Sequence, residues 1–219
     1  MIKFDEEILQ LCPDLRLAIL TADVEVVPKT ELLWDKIEQT VASLEIQLED
    51  IKSNPQIEAA RAAYKAFGKD PSRYRLSAEA LLRRVASGKG IYQISNLVDI
   101  VNLLSFKSGF SIGSYDKPLI QGDVLLRLGN ENEPYETIGR GQINIHRLPM
   151  LCDQEGPFGN PSSDSKRTSI SVSTKEILFV FFDFSGNGPI DEILDEATLL
   201  LTEFAKATNV KDYLLISNS

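Results

Sequence analysis

The order of apolar and polar positions separates a helix-rich first half of the chain from a strand-rich second half. An apolar, β-branched run over residues 15–27, bounded by Pro13 and Pro28, predicts an early strand. Residues 30–52 repeat apolar side chains near helical spacing, which predicts a long and otherwise polar helix. Further helices are predicted over residues 54–68, 78–86 and 95–108.

From residue 109 onward, short β-like runs alternate with turns rich in Gly, Asn and Pro. Strands are predicted over residues 124–128, 136–138, 143–145, 169–173 and 177–183. A C-terminal helix over residues 190–207 and a last strand over residues 213–217 follow. This segregation favours an α+β fold with a mostly antiparallel or mixed sheet. Because no flexible linker occurs, we expect one domain over residues 1–219.

Composition narrows the class of protein further. No apolar run reaches 18 residues, and the acidic N-terminus lacks a basic-then-apolar signal pattern, so we expect a soluble cytoplasmic protein with no membrane association. Only Cys12, Cys152 and His146 are available as soft ligands, and their spacing does not build a zinc site. We therefore expect neither a metal nor a cofactor.

The charge is distributed unevenly. The net charge of −9 argues against a general nucleic-acid binder, yet residues 61–90 carry eight Lys or Arg against two Asp or Glu. Arg73, Arg75, Arg84 and Lys89 are the candidate RNA-binding residues of this segment. Solvated helix faces would explain the same charges, and the sequence leaves both interpretations open. Because Arg83 and Arg84 are adjacent on a helix, we predict that their side chains diverge by about 100°.

Six short segments occur in one order along the chain. They read YKAFGKDPSRYRLSAEALLRR (64–84), ISNLVDIVN (94–102), SIGSYD (111–116), GDVLLRLG (122–129), DSKRTSI (164–170) and ILFVF (177–181). Together they resemble the B3/B4 domain of the phenylalanyl-tRNA synthetase β chain, with the resemblance strongest over residues 60–183. The stretch before DSKRTSI carries a single aromatic residue, Phe158, where the family is usually rich in tryptophan. We therefore expect a different pocket rim and do not transfer tyrosine specificity.

The resemblance implies a B3/B4-like single domain in freestanding form. In the synthetase, this domain is a metal-free editing module that hydrolyses the ester of a wrongly attached amino acid, notably tyrosine, on tRNA. The implied function is therefore deacylation of a mischarged aminoacyl-tRNA in trans, with tRNA as the partner. We do not expect a complete aminoacyl-tRNA ligase. The alternative is a non-catalytic module that binds RNA, an amino acid or a protein.

Three polar residues, Asn96, Asp99 and Asn102, recur at a spacing of three on a predicted helix. We predict that they face a cleft bounded by residues 139–141 and 165–168, where they would bind the substrate. Helix capping and loop bonding would explain the same residues, and the spacing alone leaves this alternative open.

Six further residues are candidate substrate-binding residues for different reasons. Tyr115 and Asp116 are expected in a turn, Gly139 and Gly141 would let the backbone approach a ligand, and Ser165 and Thr168 could donate to a carbonyl or a ribose hydroxyl. No catalytic group is assigned from the sequence.

Overall fold

The chain folds as a mixed α+β protein, as the segregation of helical and strand patterns predicts. A computed structural model describes residues 1–139 and 141–216. The helices are α1 (Glu6–Leu11), α2 (Glu31–Ser43), α3 (Pro55–Ala66), α4 (Ser77–Ala86), α5 (Asn96–Ser108) and α6 (Ile190–Ala205). The strands are β1 (Ile2–Phe4), β2 (Arg16–Asp23), β3 (Ser111–Asp116), β4 (Val124–Leu128), β5 (Glu136–Thr137), β6 (Gly141–Gln142), β7 (Pro149–Asp153), β8 (Gly156–Gly159), β9 (Glu176–Asp183) and β10 (Thr208–Ile216).

The described strands form two larger sheets and one hairpin. The first sheet has the order β10-β2-β9-β3 and is antiparallel throughout. The second has the order β1-β4-β7-β8, in which β1 and β4 are parallel and the other pairs antiparallel. Strands β5 and β6 pair separately. The expected antiparallel or mixed sheets are confirmed.

Strand β9, an inner strand of the first sheet, is buried on both faces. Phe179 and Phe181 of β9 belong to an apolar cluster shared with α2, α4, α5 and α6. Val180 and Phe182, which alternate with them, belong to a second cluster with α1, α3 and the second sheet. This alternation follows from the two-residue period of a strand. The single-domain organisation over residues 1–219 stays a prediction, and the contribution of β9 to both clusters supports it.

Helices α3 and α5 have recognisable capping residues. At α3, the Asn54 side chain accepts hydrogen bonds from two backbone N–H groups of the first turn, and Pro55 follows it. At α5, Ser95 caps the first turn, and Gly109 ends the helix in the left-handed region at φ 83°. Because a side chain at Gly109 would collide with Asn54, the end of α5 is packed against the start of α3.

Several predicted elements need correction. Helix α2 ends at Ser43 rather than at residue 52, because the chain becomes extended at Leu44, which packs on the core. The predicted strands over residues 143–145 and 169–173 are loops. The sequence-based prediction does not include helix α1 or the strands β1, β3, β6, β7 and β8. Short strands of this kind depend on a partner strand from elsewhere in the chain. The last predicted strand ends at Ser217, which lies outside the described residues.

Within the described part of the chain, no helix has both the length and the apolarity needed to cross a membrane.

Candidate functional site

A cavity of about 350 Å³ lies between α5, β3 and the chain segment that follows β8. One part of its wall is aliphatic and is formed by Ile94, Val98, Val101, Ile112, Ile138 and Ile170. The other part is polar and is formed by Ser77, Asn102, Ser114, Asn160, Ser162, Ser163, Asp164 and Ser169. An apolar wall with a few polar groups is typical of small-ligand sites, and this volume is at the small end of their range.

A second cavity of about 570 Å³, beside α3, is larger but chemically less suited to catalysis. Its wall includes Cys12, and burial raises the pKa of this thiol to about 11. The thiol is therefore protonated near neutral pH and is a poor nucleophile. We take the cavity that contains Asp164 as the candidate site.

Buried tyrosines position residues 160–165, here called the pocket loop. The hydroxyl of Tyr64 is 2.9 Å from Ser162 Oγ, and the hydroxyl of Tyr135 donates to the carbonyl oxygen of Ser163 at 2.7 Å. The hydroxyl of Tyr115 donates to Asp164 Oδ1 at 2.7 Å. Three tyrosine hydroxyls thus contact three successive residues of the pocket loop. The loop is therefore held in place by groups buried in the second apolar cluster.

Two glycines make room for the Tyr115 hydroxyl. A side-chain carbon at Gly113 or at Gly159 would collide with this oxygen. The Tyr115 ring also packs edge-on against Phe158, with ring centroids 5.0 Å apart. Burial raises the pKa of Tyr115 well above its ordinary value, so the hydroxyl stays protonated and acts as a donor. Its position against Asp164 is therefore determined by the packing of β3 and β8.

Asp164 is the distinctive chemical group of the cavity. Burial raises its pKa from 3.8 to about 7, although hydrogen bonds from Tyr115 and from the backbone of Ser114 and Asn160 act in the opposite direction. Both the protonated and the charged form of this carboxyl group are therefore populated near neutral pH. A group with such a pKa can act as a general base or can bind a cation.

We expect Tyr115→Phe to raise the pKa of Asp164 above about 7. The Tyr115 hydroxyl donates to the carboxylate and so favours its charged form, and the variant loses this hydrogen bond while keeping the ring. A carboxyl-carbon NMR titration measures the shift. Tyr135→Phe is the matched control, because its hydroxyl bonds Ser163 instead. A lower or unchanged Asp164 pKa in Tyr115→Phe contradicts this assignment.

The predicted polar row on α5 does not face one cleft, and this expectation is corrected. Only Asn102 lines the cavity. The Asn96 side chain is buried and bonds the backbone of Glu25, Val27 and Phe204 instead. Side chains three apart on a helix are rotated by about 60°, so six residues separate Asn96 from Asn102 by about 120°. The role of Asn96 that the structure describes is to join α5 to neighbouring segments.

Asp99 is buried and accepts a hydrogen bond from the backbone N–H of Ile94 at 2.9 Å. Burial raises its pKa to about 6, while bonds from the backbone of Ile94 and Ser95 lower it. Asp99 is not part of the cavity wall, but Ile94 is. The carboxyl group therefore positions the segment that enters α5, and its proposed contact with a substrate remains without support.

Tyr115 and Asp116 lie in β3 rather than in the expected turn, because six residues from Ser111 pair with β9. Asp116 accepts a hydrogen bond from the Thr174 hydroxyl at 2.6 Å and is not in the cavity wall. Tyr115 is connected to the cavity by its hydrogen bond to Asp164. Of this pair, only Tyr115 has a described connection to the cavity.

Gly139 and Gly141 have positive φ angles of 80° and 68° beside the β5–β6 hairpin. Both follow Ile138, which lines the cavity, but neither is in the cavity wall. Arg140, between them, lies outside the described residues. Ser165 Oγ accepts from the backbone N–H of Arg167, and Thr168 is buried with its hydroxyl lacking a partner among the described residues. Neither Ser165 nor Thr168 lines the cavity.

The candidate RNA-binding residues have different environments. The guanidinium group of Arg73 lies over the Tyr74 ring, and Arg75 is half exposed at 4.0 Å from Glu79. Arg84 contacts the Tyr92 ring, and Lys89 is exposed. Arg83 bonds Glu79 rather than the Tyr92 ring, and this difference in partners supports the predicted divergence of the two arginine side chains. Their RNA-binding role stays a prediction.

Asp164 lies in the segment DSKRTSI but is not among the site residues predicted from the sequence. Ser77, Ser114 and Asn160, which line the cavity, are not among them either. The clustered hydroxyls beside a carboxylate at residues 162–165 were the available signal. Among the described residues, no group of three His, Cys, Asp or Glu side chains is arranged to hold a metal ion.

Comparison with solved structures finds an N-terminal fragment of the phenylalanyl-tRNA synthetase β-subunit from Pyrococcus horikoshii. The sequence identity is 14%, the TM-score is 0.47, and the match covers 96% of this chain and 50% of that chain. This chain thus spans about half the length of that fragment. No curated protein matches the chain.

A family model gives the stronger result, because the B3/4 domain matches residues 59–187. This match includes α4, α5, β3 and the pocket loop, and it covers more than half of the chain. The chain belongs to the B3/4 domain family.

Proposed function

We propose that this protein hydrolyses the ester bond of a mischarged aminoacyl-tRNA in trans. The observation that carries the proposal is the Asp164 carboxyl group at the wall of a cavity of about 350 Å³, held by the Tyr115 hydroxyl. Its chemistry supports the hydrolysis that the B3/B4 resemblance implies. With this substrate we also propose a cytoplasmic location.

The cavity offers separate surfaces for the parts of an aminoacyl ester. The aliphatic wall, which includes Val98, Val101 and Ile112, suits an apolar amino-acid side chain. At the polar wall, the Ser162 hydroxyl can donate to a carbonyl oxygen while it accepts from the Tyr64 hydroxyl at 2.9 Å. Asp164 can contact the α-ammonium group or a water molecule. These contacts would orient the ester carbonyl at the boundary between the two walls.

As a general base, Asp164 takes a proton from water while the water oxygen attacks the ester carbonyl carbon. The bond between this carbon and the ribose oxygen then breaks, and the proton returns to the leaving ribose oxygen. The products are a free amino acid and an uncharged tRNA, so atoms and charge balance. A base with a pKa near the working pH is efficient in such a transfer.

Binding of tRNA is the second part of the proposal. The excess of eight basic over two acidic residues in residues 61–90 supports it, because the rest of the chain has 15 basic and 30 acidic residues. Arg73, Arg75 and Lys89 are the proposed phosphate contacts, and Arg84 contributes to RNA binding from its position over the Tyr92 ring. This arrangement would favour one orientation of RNA on the protein rather than general adsorption.

The test is a deacylation screen of the purified protein against a panel of correctly and wrongly charged tRNAs. We expect at least one mischarged tRNA to lose its amino acid about tenfold or more faster than without protein, within the range of general base catalysis. Its correctly charged counterpart is the control. Deacylation of no member of the panel above the spontaneous rate contradicts the proposal.

A non-catalytic binding module is the second candidate. One observation favours it: Asp164 is the only ionisable group among the residues described in the cavity wall. A single carboxyl group can bind an amino-acid ammonium group without activating water. Stable binding of an aminoacyl-tRNA with no release of the amino acid supports this alternative.

A further inference from the structure

An exposed aromatic residue lies next to the cavity in sequence and is outside the site described above. Tyr92 is 68% exposed, and Ile94, two residues later, lines the cavity. Two residues span at most about 7 Å, so the Tyr92 backbone is close to the cavity wall. The bond from the Ile94 N–H to Asp99 at 2.9 Å anchors this connection. Tyr92 is therefore tied to the cavity by a short and anchored segment.

A guanidinium group supports the Tyr92 ring. The central carbon of the Arg84 guanidinium is 4.3 Å from the ring centroid. Arg84 Nε also donates to the carbonyl oxygen of Gly90 at 3.1 Å, and its Nη2 donates to the carbonyl oxygen of Lys89 at 3.4 Å. The guanidinium is thus bound to the same loop that carries the ring. This arrangement covers one side of the ring while most of the side chain stays exposed.

The loop that carries this ring has a positive charge. Residues 87–95 contain Lys89 and no carboxylate, and Lys89 is exposed. The nearby Glu79 is buried and bonded by Arg61 and Arg83, so its charge is compensated. An exposed aromatic face with adjacent cations suits a nucleobase and its phosphate, because stacking and charge neutralisation act together.

We infer that Tyr92, Arg84 and Lys89 form a stacking platform for the terminal nucleotide of a single-stranded RNA end. The base stacks on the free face of Tyr92, Arg84 supports the opposite face, and Lys89 neutralises a backbone phosphate. The inference rests on the proposed function, since the amino acid joined to this nucleotide would occupy the neighbouring cavity. Stacking does not select a base, so the platform would accept the common end of many RNAs.

The test measures binding separately from hydrolysis. The probe is a fluorescein-labelled single-stranded RNA of about four nucleotides with a free terminal ribose, titrated at low salt. We expect Tyr92→Ala to weaken its binding about tenfold and Tyr92→Phe to retain it, because the ring supplies the stacking surface. Tyr213→Ala is the matched control, as Tyr213 is another exposed tyrosine, located on β10. We expect this control to bind like the wild type.

Equal affinity of the wild type and Tyr92→Ala overturns the platform, and so does absence of binding by the wild type. Loss of affinity in Tyr213→Ala equal to that in Tyr92→Ala also overturns it, because binding would then not be local. Failure of the proposed function has a different outcome. In that case RNA binding depends on Tyr92 but no aminoacyl ester is hydrolysed.

Discussion

Asp164→Asn is expected to lower kcat/KM for deacylation by at least about 100-fold, which is the loss typical of a general base. The asparagine keeps the size of the side chain but cannot accept a proton from water. Deacylation of the mischarged tRNA selected by the screen measures the effect. Asp116→Asn is the matched control, because Asp116 is also a buried carboxyl group bonded to a hydroxyl but is not in the cavity wall. We expect the control to retain activity within a few-fold.

The pH dependence of the wild-type enzyme tests the same assignment. Burial raises the pKa of Asp164 to about 7, and only the carboxylate can act as the base. The enzymatic rate, corrected for spontaneous ester hydrolysis, should therefore rise about tenfold per pH unit below this pKa and reach a plateau above it. Full activity of Asp164→Asn, or a flat profile through pH 7, removes Asp164 from the mechanism.

Glu79→Ala is expected to lower the free energy of unfolding by about 3–5 kcal/mol, as observed when one partner of a buried ion pair is removed. The Glu79 side chain is 1% exposed and bonds Arg61 at 2.8 Å and Arg83 at 3.0 Å. The variant leaves these two cations without their buried partner. Urea unfolding measures the change.

The control for this prediction is Glu58→Ala, since Glu58 is exposed on the neighbouring helix α3. A surface change of this kind is expected to alter the free energy of unfolding by no more than about 0.5 kcal/mol. If Glu79→Ala and Glu58→Ala unfold at the same urea concentration, the buried network does not have the stabilising role assigned to it.

Local chemistry explains why most helices and two of the core strands could be predicted. The boundaries of α3 follow from Asn54, Pro55 and Gly68, whose conformational preferences act within one or two turns. The apolar run of β9 is recognisable because the strand is buried on both faces. Short strands such as β8, with sequence GPFG, have little intrinsic preference and form through pairing with β7.

The residues of the functional site, like the strands, could be predicted from the sequence only in part. The polar spacing on α5 is visible in the sequence, but it cannot show that Asn96 bonds the backbone of Glu25 and Phe204 while Asn102 reaches the cavity. Each of these polar groups can be satisfied by a ligand or by a distant backbone segment. Burial and hydrogen-bond geometry decide between the two.

The sequence alone determined the α+β class, the main helices and the membership of the B3/4 family, because these depend on local patterns and on the order of short motifs. The tertiary structure alone decided that Asp164, rather than Asp99, lines the cavity. It also decided that the Tyr115 hydroxyl donates a hydrogen bond to this carboxyl group, although the two residues are 49 positions apart in the sequence. The physical reason is that the pKa of a carboxyl group depends on its burial and its donors, which come from segments far apart in the chain.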